Sequence, residues 1–350
     1  MGALEGFSTS VLLAIFVACA GCIWIAGTRL THYGDELSHR FNLSREFIGL
    51  IFLAFITELP EIVTTVTAAR AGNPSLVLGN MFGGITMQTA ILAVADLFIV
   101  RHALTSWPRK PNHALLGTLL IFLLAMLLAV TFAGDFAFIL NVGLAAVCLS
   151  GLYPLVITML RRYDEKQSWA PIDLPDRDIG HASTTAPKQG LGQLRLSNLL
   201  LRGFGASTTI LVAGVLLALV ADAISDRTTL GASFIGIFLL ATATSLPEIS
   251  TTFAAARIGA YTMALSNIFG SNLIMIALIL PADLAYSEGP ILSQANSQAQ
   301  FSLAIGIVVS AIYVAGLLIR RTPCVLGAGI DSWLVIGAYL GMIAVLLVGL

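Results

Sequence analysis

The segment Thr57-Glu58-Leu59-Pro60-Glu61-Ile62 occurs a second time, with one change, as Thr244-Ser245-Leu246-Pro247-Glu248-Ile249. The two copies lie 187 residues apart, and both sit inside long apolar stretches. At the same offset, residues 27–97 align with 214–284 without a gap, and 30 of the 71 aligned positions are identical. An internal repeat of this length predicts that the chain is built from two copies of one structural unit.

The composition around the repeat is that of a membrane protein. Of 350 residues, 57% are hydrophobic and only 11% are charged, and the formal net charge is −1. A soluble globular protein carries about 25% charged residues, which excludes a water-soluble domain, and the high apolar content excludes a disordered chain. The near-neutral charge argues against nucleic acid as a partner. We expect an all-α polytopic membrane protein, surrounded by the lipid bilayer and without an obligate protein partner.

Ten apolar runs are long enough to cross a bilayer, because a hydrocarbon core about 30 Å thick needs roughly 20 residues of helix. They lie near 7–28, 46–69, 75–99, 114–133, 136–160, 206–224, 233–256, 261–281, 301–319 and 331–350. One long polar segment separates the first five runs from the last five. The sequence therefore predicts a first five-helix repeat over 1–161, a linker over 162–205 and a second five-helix repeat over 206–350.

The odd number of spans in each repeat means that the two copies have opposite orientations in the membrane. Inverted repeats are an architecture of secondary transporters, with the substrate site near the midplane where the copies meet. If the N-terminus is outside, sixteen of the eighteen Lys and Arg residues lie in inside loops. We therefore expect both termini outside, a cytoplasmic linker over 162–205, and a location in the plasma membrane (the cell inner membrane).

Two acidic residues, Glu61 and Glu248, lie near the middle of their spans at equivalent positions of the repeat. An ionisable side chain at that depth costs roughly 2.5–3.5 kcal/mol even on the most lenient insertion scale. No Lys or Arg lies at the same depth to neutralise them. A bound cation would offset this cost. The alternative is a pair of protonated or hydrogen-bonded carboxyls that fills a polar gap.

Pro60 and Pro247 directly precede these glutamates. A proline inside a helix removes one amide donor and leaves the carbonyl four residues earlier without its partner. Together with the hydroxyls of Thr57 and Thr244, such carbonyls would surround the carboxylates with oxygen atoms. Hard cations such as Ca²⁺, which take roughly six to eight oxygen ligands, bind at sites of this kind.

Further polar residues are shared by the two copies. The segments 79–84 and 266–272 offer amide and hydroxyl oxygens, some of which we expect only to join helices. Asp96 and Asp283 fall at the ends of their spans. We expect them to be interfacial anchors or helix-end charges rather than cation ligands.

At these residues the chain resembles the cation/Ca²⁺ exchanger superfamily, of the sodium/calcium exchanger type. The repeats of that family show Gly-Thr-Ser-Leu-Pro-Glu followed by Gly-Asn-x-x-Gly-Ser-Asn, and residues 56–61 and 243–248 are similar to the first motif. The resemblance covers nearly all ten spans and implies ten helices in two inverted five-helix repeats. It also implies a central Ca²⁺ site between the two glutamates, flanking Na⁺ sites, and sliding of spans one and six to alternate access.

By position, the resemblance implies two groups of ligands. The Ca²⁺ ligands would be Glu61, Glu248, Thr57, Thr244 and the carbonyls of Ala54 and Ala241. The Na⁺ ligands would be Ser245 and Ser271. No cofactor is implied, because the ions are transported rather than retained.

Five positions depart from the family pattern. Gln88 and Met275 stand where the family has Asn and Asp, and Gly84-Ile85 replaces the first Ser-Asn. Gln88 remains a candidate ligand, whereas a thioether is a poor ligand for a hard cation. Glu58 stands where the family has Ser and adds a carboxylate one helical turn before Glu61. Two acids this close favour the uptake of a proton.

Two antiport hypotheses follow, and a passive channel is a third possibility that a requirement for a counter-ion on the opposite side would exclude. The first is Ca²⁺ extrusion in exchange for Na⁺, and the second is exchange of Ca²⁺ or another cation for H⁺ with Glu58 as the proton carrier. A remote alternative is an intramembrane enzyme, since Gly134-Asp135 and Tyr163-Asp164 faintly resemble aspartyl protease motifs. We place Asp135 in an outside turn and Asp164 in the linker, where they cannot meet. We therefore expect a secondary transporter and not an enzyme.

Overall fold

The computed structural model describes residues 6–108, 111–139, 141–166, 191–225, 242–320 and 322–348, which are mostly helical. The helices are α1 (Thr9–Phe41), α2 (Arg45–Thr57), α3 (Leu59–Arg70), α4 (Pro74–Ala95), α5 (Asn112–Ala133), α6 (Leu144–Lys166), α7 (Leu196–Ser225), α8 (Leu246–Arg257), α9 (Tyr261–Ala277), α10 (Ile279–Ala285), α11 (Ser297–Ile319) and α12 (Ile330–Val348). Residues Ile48–Leu53 within α2 and Asp96–Val100 after α4 have π-helical geometry, and Leu104–Ser106 and Ile291–Gln294 form short 3-10 helices. Two short antiparallel hairpins pair β1 (Ala137–Ile139) with β2 (Val142–Gly143) and β3 (Cys324–Val325) with β4 (Ala328–Gly329).

The helices confirm an all-α polytopic membrane fold. Within the described ranges, eight helices are long and apolar enough to cross a membrane, and a ninth span results if the bent pair α2 and α3 counts as one. The predicted seventh span, 233–256, falls partly on residues 226–241, which lie outside the described residues. The count of ten spans therefore stays a prediction.

Several helices are longer than the predicted spans. α1 continues to Phe41, past the predicted end at 28, and α7 begins at Leu196 instead of 206. α6 continues to Lys166, so helices extend into both ends of the predicted linker. The apolar content of a sequence marks only the part of a helix that lies in hydrocarbon, and these helices continue beyond it with polar side chains.

The predicted fifth span, 136–160, is wrong at its start. β1 and β2 form a hairpin there, and α6 begins only at Leu144. A short run of apolar residues in a strand cannot be distinguished from a helix by hydropathy alone. The second hairpin, β3 and β4, lies directly before α12 in the same way. The two repeats therefore share this element, although it lies outside the segments that align in sequence.

The helices form two layers, and the short helices α3 and α8 lie between the layers. In the first layer α4 and α9 contact one another, and α5 and α11 pack against them. The main apolar cluster belongs to this layer and contains the fully buried Phe82 and Phe269. α1 and α7 pack along one another on the other side. α3 and α8 lie between these layers, which places their first turns inside the bundle.

Helices of the two repeats pack closely against one another at two glycines. Gly27 of α1 lies against Ser250 of α8, and its repeat equivalent Gly214 of α7 lies against Pro60 of α3. A β-carbon added to either glycine would collide with the facing side chain. The first helix of each repeat therefore packs on the short helix of the other repeat, at a separation that only a very small residue permits.

Asp96 is not an interfacial anchor, because its carboxylate is fully buried. Its Oδ1 accepts a hydrogen bond from the Leu104 amide (2.9 Å), and its Oδ2 accepts from the Gly329 amide (3.0 Å) and the Ser332 hydroxyl (2.7 Å). The residue thus lies at a helix end, as expected. Its role is to join a loop of the first repeat to the β3–β4 hairpin of the second.

The equivalent residue, Asp283, makes the reciprocal connection. Its Oδ1 accepts from the Ile291 amide (2.6 Å) in the second repeat, and its Oδ2 accepts from the Gly143 amide (2.6 Å) in the β1–β2 hairpin of the first. The prediction of an interfacial anchor is wrong here for the same reason, since only 1% of the residue is exposed. Each repeat therefore binds the β-hairpin of the other repeat through one carboxylate, Asp96 for β3–β4 and Asp283 for β1–β2.

We expect Asp96→Asn and Asp283→Asn each to lower the free energy of unfolding by about 2 kcal/mol, because an amide NH₂ would face a backbone N–H donor. Thermal unfolding of the detergent-solubilised protein should show both variants melting several degrees below the wild type. Glu288→Gln is the control, since Glu288 accepts from the Tyr286 hydroxyl in a part-buried contact. If the Asp283 variant melts with the wild type, the carboxylate does not hold the hairpin.

Candidate cation site

The site begins with two equivalent helix breaks. α2 and α3 meet at Glu58 with a bend of 43°, and α8 begins directly after Ser245. Glu58 and Ser245 have ψ angles of −9° and 2°, at the edge of the helical region. Pro60 and Pro247 are the second residues of α3 and α8, where a missing N–H removes no helical hydrogen bond. The prolines therefore begin new short helices instead of kinking continuous ones.

This break places both predicted glutamates in the first turn of a helix. Glu61 is the third residue of α3, and Glu248 is the third residue of α8. The N–H groups of a first turn have no partner within the helix and carry a partial positive charge, which favours a carboxylate at that end. Both glutamates are fully buried.

Contacts across the repeats bring the predicted residues together. Thr57 of the first repeat lies beside the carboxyl of Glu248, and Thr244 of the second lies beside the carboxyl of Glu61. Glu58 faces both glutamates. None of these five side chains is more than 1% exposed. Two segments 187 residues apart in sequence thus form one reciprocal polar cluster.

The central glutamates have no counter-charge in the part of the chain that the structure describes. Their described neighbours at the carboxyl groups are the hydroxyls of Thr57 and Thr244 and the acid Glu58, none of which carries a positive charge. Arg40 and Arg45, for example, pair with Glu36 and Asp35 instead. Two buried carboxylates without a positive partner are costly. The arrangement of Glu61 and Glu248 therefore favours a bound cation or protonation.

The oxygens of the other predicted ligands differ in whether they already take part in hydrogen bonds. The hydroxyls of Ser245 and Ser271 are buried and have no hydrogen-bond partner among the described residues. The Ala54 carbonyl accepts from the backbone N–H four residues later (3.1 Å) and from the Thr57 hydroxyl (3.2 Å). A cation at this carbonyl would have to replace the hydroxyl. The second predicted carbonyl, of Ala241, lies outside the described residues.

The donor chemistry fits a hard cation. Within the described ranges, no group of three or more His, Cys, Asp or Glu side chains is arranged to hold a metal ion. A cation between Glu61 and Glu248 would therefore take its remaining ligands from hydroxyls, carbonyls and water. Ca²⁺ accepts such mixed oxygen sets, whereas Zn²⁺ prefers nitrogen and sulfur ligands.

Two of the departures from the family pattern are partners in the structure. Gln88 Nε2 donates a hydrogen bond to Glu58 Oε1 (2.8 Å), and Ser271 lies beside the same carboxyl. Glu58 and Gln88 are both fully buried. The additional acid at position 58 is therefore held by the amide at position 88.

Two further departures, Gly84 and Met275, are also in contact. A β-carbon at Gly84 would lie only 2.8 Å from Met275 Cε, so the thioether fills the space that a side chain at 84 would need. Gly84 and Met275 are the repeat equivalents of Ser271 and Gln88. One flank of the site is therefore polar, around Glu58, and the equivalent flank is apolar.

Sequence reasoning missed two threonines that position the asparagines of α9. Asn272 Nδ2 donates to Thr89 Oγ1 (3.2 Å) on α4, and Asn267 Nδ2 donates to Thr251 Oγ1 (3.1 Å) on α8. The Oδ1 atoms of both asparagines lack a partner among the described residues. The available signal was that both threonines belong to short polar runs, Gln88-Thr89 and Ser250-Thr251-Thr252, within apolar stretches near the motifs.

Asp135 has a structural role that differs from that of a catalytic aspartate. Its Oδ1 accepts from the amides of Phe136 (2.8 Å) and Ala145 (2.9 Å) and so closes the β1–β2 hairpin. Asp164 belongs to the end of α6 rather than to the linker. The two residues thus lie at opposite ends of one helix.

Comparison with known proteins gives one family for both repeats. The family model described as "Sodium/calcium exchanger protein" matches residues 11–161 and 199–348. "Putative antiporter CaxA" of Alkalimonas amylolytica is 28% identical over 280 residues, which cover 79% of this chain and 81% of that protein. "Inner membrane protein YrbG" of Escherichia coli (strain K12) is 25% identical over 325 residues, which cover 89% of this chain and 91% of that protein.

The fold is similar to that of a solved exchanger. The sodium-calcium exchanger NCX_Mj soaked with 10 mM Na⁺ and zero Ca²⁺ superposes with a TM-score of 0.70 over 96% of this chain and 99% of that chain, at 18% sequence identity. The same protein soaked with 2.5 mM Na⁺ and 0.1 mM Sr²⁺ gives the same values. At this identity the likeness concerns the fold alone.

We expect Gln88→Met to lower the free energy of unfolding by about 1–3 kcal/mol, because a buried oxygen of Glu58 loses its donor. The double variant Glu58→Met/Gln88→Met should recover most of that loss, since both polar partners are then replaced. Thermal unfolding in detergent measures the cycle. Ser310→Ala is the control, because the Ser310 hydroxyl is buried without a partner among the described residues. Additive losses for the two changes would contradict the pairing.

Proposed function

The chain belongs to the sodium/calcium exchanger protein family, and from that membership we propose that it extrudes Ca²⁺ in exchange for Na⁺. The family model and the antiporter among its relatives support cation antiport as the general activity. One site near the middle of the bundle would bind the two ions in turn and face the two sides of the membrane alternately.

The observation that carries the proposal is the pair of fully buried carboxylates, Glu61 and Glu248, without a counter-charge among the described residues. Their combined charge of −2 is neutralised by one Ca²⁺ or by two Na⁺. An empty site would carry that charge through the bilayer core at a high cost in free energy. Only a loaded site would then change sides, which makes the transport an obligatory exchange.

Other residues complete the proposed site. Thr57 and Thr244 each supply a hydroxyl to the glutamate of the opposite repeat. The remaining proposed ligands are the carbonyls of Ala54 and Ala241 for Ca²⁺, the hydroxyls of Ser245 and Ser271 for Na⁺, and the side chains of Glu58 and Gln88 on the polar flank.

We propose α1 and α7 as the part that moves. They pack along one another, and each touches the short helix of the opposite repeat through a glycine, Gly27 or Gly214. Glycine lets the two helices approach closely, so a shift of α1 and α7 meets no side chain from these helices at the two contact points. Movement of this pair would open the carboxylates to one side and close them to the other.

The hydrogen bond between Gln88 and Glu58 favours a second candidate, exchange of Ca²⁺ or another cation for H⁺. Glu58 raises the formal charge of the site from −2 to −3 when all three acids are ionised. One proton on Glu58 would return the charge to −2, so this residue would be the proton carrier. Both candidates use the same fold and the same central glutamates.

For the orientation, we propose both termini outside and a cytoplasmic linker over 162–205 in the cell inner membrane. The asymmetric distribution of Lys and Arg supports the orientation, and the E. coli relative, named as an inner membrane protein, supports the location. Labelling of a cysteine at Ser183 by a membrane-impermeant reagent in inverted vesicles, and not in right-side-out vesicles, is the expected result. Labelling in the right-side-out vesicles would contradict it.

Ca²⁺ uptake into inverted vesicles should require Na⁺ in the lumen and persist when the two sides have equal pH. The physical reason is that Na⁺ leaving the vesicle lumen down its gradient supplies the free energy that moves Ca²⁺ into the lumen. Uptake that ignores Na⁺ and follows the pH difference would reject Na⁺ coupling and support the second candidate. Glu58→Gln separates the two further, because it should abolish uptake driven by a pH difference if Glu58 carries the proton, and should only weaken uptake driven by Na⁺ if Glu58 is a ligand at the edge of the site.

Glu61→Gln and Glu248→Gln should each reduce Ca²⁺ flux to background, because the remaining single charge cannot neutralise Ca²⁺. Both variants should still insert and melt near the wild-type temperature, since glutamine has nearly the same shape. Glu288→Gln, in the loop after α10, is the control and should transport normally. Wild-type flux in Glu248→Gln would remove that residue from the site.

A further inference from the structure

A second polar cluster lies where α2, α5 and α9 begin. Glu46 on α2, His113 on α5 and Ser266 on α9 line a cavity of about 50 Å³, which is large enough for an ion with two waters because each water needs about 10–15 Å³. Glu46 precedes Glu58 by twelve residues, which corresponds to about 18 Å along a helix. The cluster is therefore separate from the proposed transport site.

His113 is buried, with only 1% of its surface exposed. Its Nε2 lies 3.3 Å from the Thr262 carbonyl oxygen and 3.1 Å from Ser266 Oγ. A carbonyl oxygen can only accept a hydrogen bond, so Nε2 carries the proton of the neutral ring. The other nitrogen, Nδ1, then has a free lone pair, and it has no hydrogen-bond partner among the described residues.

The lone pair of His113 faces a carboxylate. Nδ1 lies 3.7 Å from Glu46 Oε1, while Glu46 Oε2 accepts a hydrogen bond from Asn112 Nδ2 (3.2 Å). Two acceptors that face one another across this distance are satisfied by a positive ion between them. Both groups also have the supporting partners that metal ligands usually have, a carbonyl for the second ring nitrogen and a donor for the second carboxylate oxygen.

We propose that Glu46 and His113 form a second metal site for a divalent ion of borderline softness, such as Zn²⁺. Zn²⁺ binds His nitrogen at about 2.0–2.1 Å and carboxylate oxygen at about 2.0–2.2 Å. Across 3.7 Å these bond lengths give an N–Zn–O angle of roughly 125°, which small side-chain movements bring to tetrahedral. Water in the cavity supplies the remaining ligands.

The site selects against the transported ion, because Ca²⁺ prefers oxygen ligands and an imidazole nitrogen favours Zn²⁺. Arg161 also lines the cavity, and its positive charge weakens the binding of any cation there. A bound ion joins the start of α2 to α5. It thereby holds the first half of the bent pair that leads to Glu58 and Glu61.

Isothermal titration of Zn²⁺ into the full-length, tag-free protein in detergent tests the proposal. His113→Gln and Glu46→Gln should each weaken Zn²⁺ binding at least tenfold. The double variant Glu61→Gln/Glu248→Gln should keep wild-type affinity, so the result does not depend on what the protein transports. Thermal unfolding without Zn²⁺ shows that each variant is folded.

His39→Gln is the matched control, because His39 is a half-exposed histidine that also faces a carboxylate, Asp35 Oδ2 at 3.9 Å. This variant should bind Zn²⁺ as the wild type does. Arg161→Gln should bind Zn²⁺ more tightly. The proposal is overturned if the wild type takes up no Zn²⁺, if His113→Gln retains wild-type affinity, or if Arg161→Gln binds more weakly.

Discussion

The structure depends on the presence of two carboxylates, Glu61 and Glu248, where water does not reach them. The arrangement around them lowers the free energy of that burial. The helix breaks place each acid in a first turn, whose amide groups face it with partial positive charge. The opposite repeat contributes a threonine to each. We propose that a bound ion neutralises the remaining negative charge, so that a feature that destabilises the empty fold serves as a binding site.

The two repeats are similar in backbone and unequal in chemistry. On one flank an acid and an amide, Glu58 and Gln88, are joined by a hydrogen bond. On the equivalent flank Met275 fills the space beside Gly84. Each change would be unfavourable alone, because an unpaired buried acid or an overfilled core destabilises a protein. Because the changes occur as pairs, Glu58 with Gln88 and Gly84 with Met275, the buried polar groups have partners and the core stays filled. The candidate site is therefore more polar on one flank than on the other.

The chemistry of the site could be predicted from the sequence because it is local. A glutamate after a proline in an apolar run, occurring twice, needs no knowledge of distant residues. The role of Asp96 could not be predicted, since its partner Gly329 lies 233 residues away and the local pattern shows only an acid at a span end. The β1–β2 hairpin could not be predicted either, because a short apolar strand and the first residues of a membrane helix have the same hydropathy.

Because Asp96 and Asp283 each bind the hairpin of the other repeat, the fold cannot be completed until both repeats have been synthesised. The β1–β2 hairpin is bound by Asp283, which follows Gly143 by 140 residues. At a translation rate of about 5–20 residues per second, the hairpin waits roughly 7–28 s for its partner. The first half of the protein therefore resides in the membrane as an unfinished bundle. It reaches its final packing only when the second half has been inserted beside it.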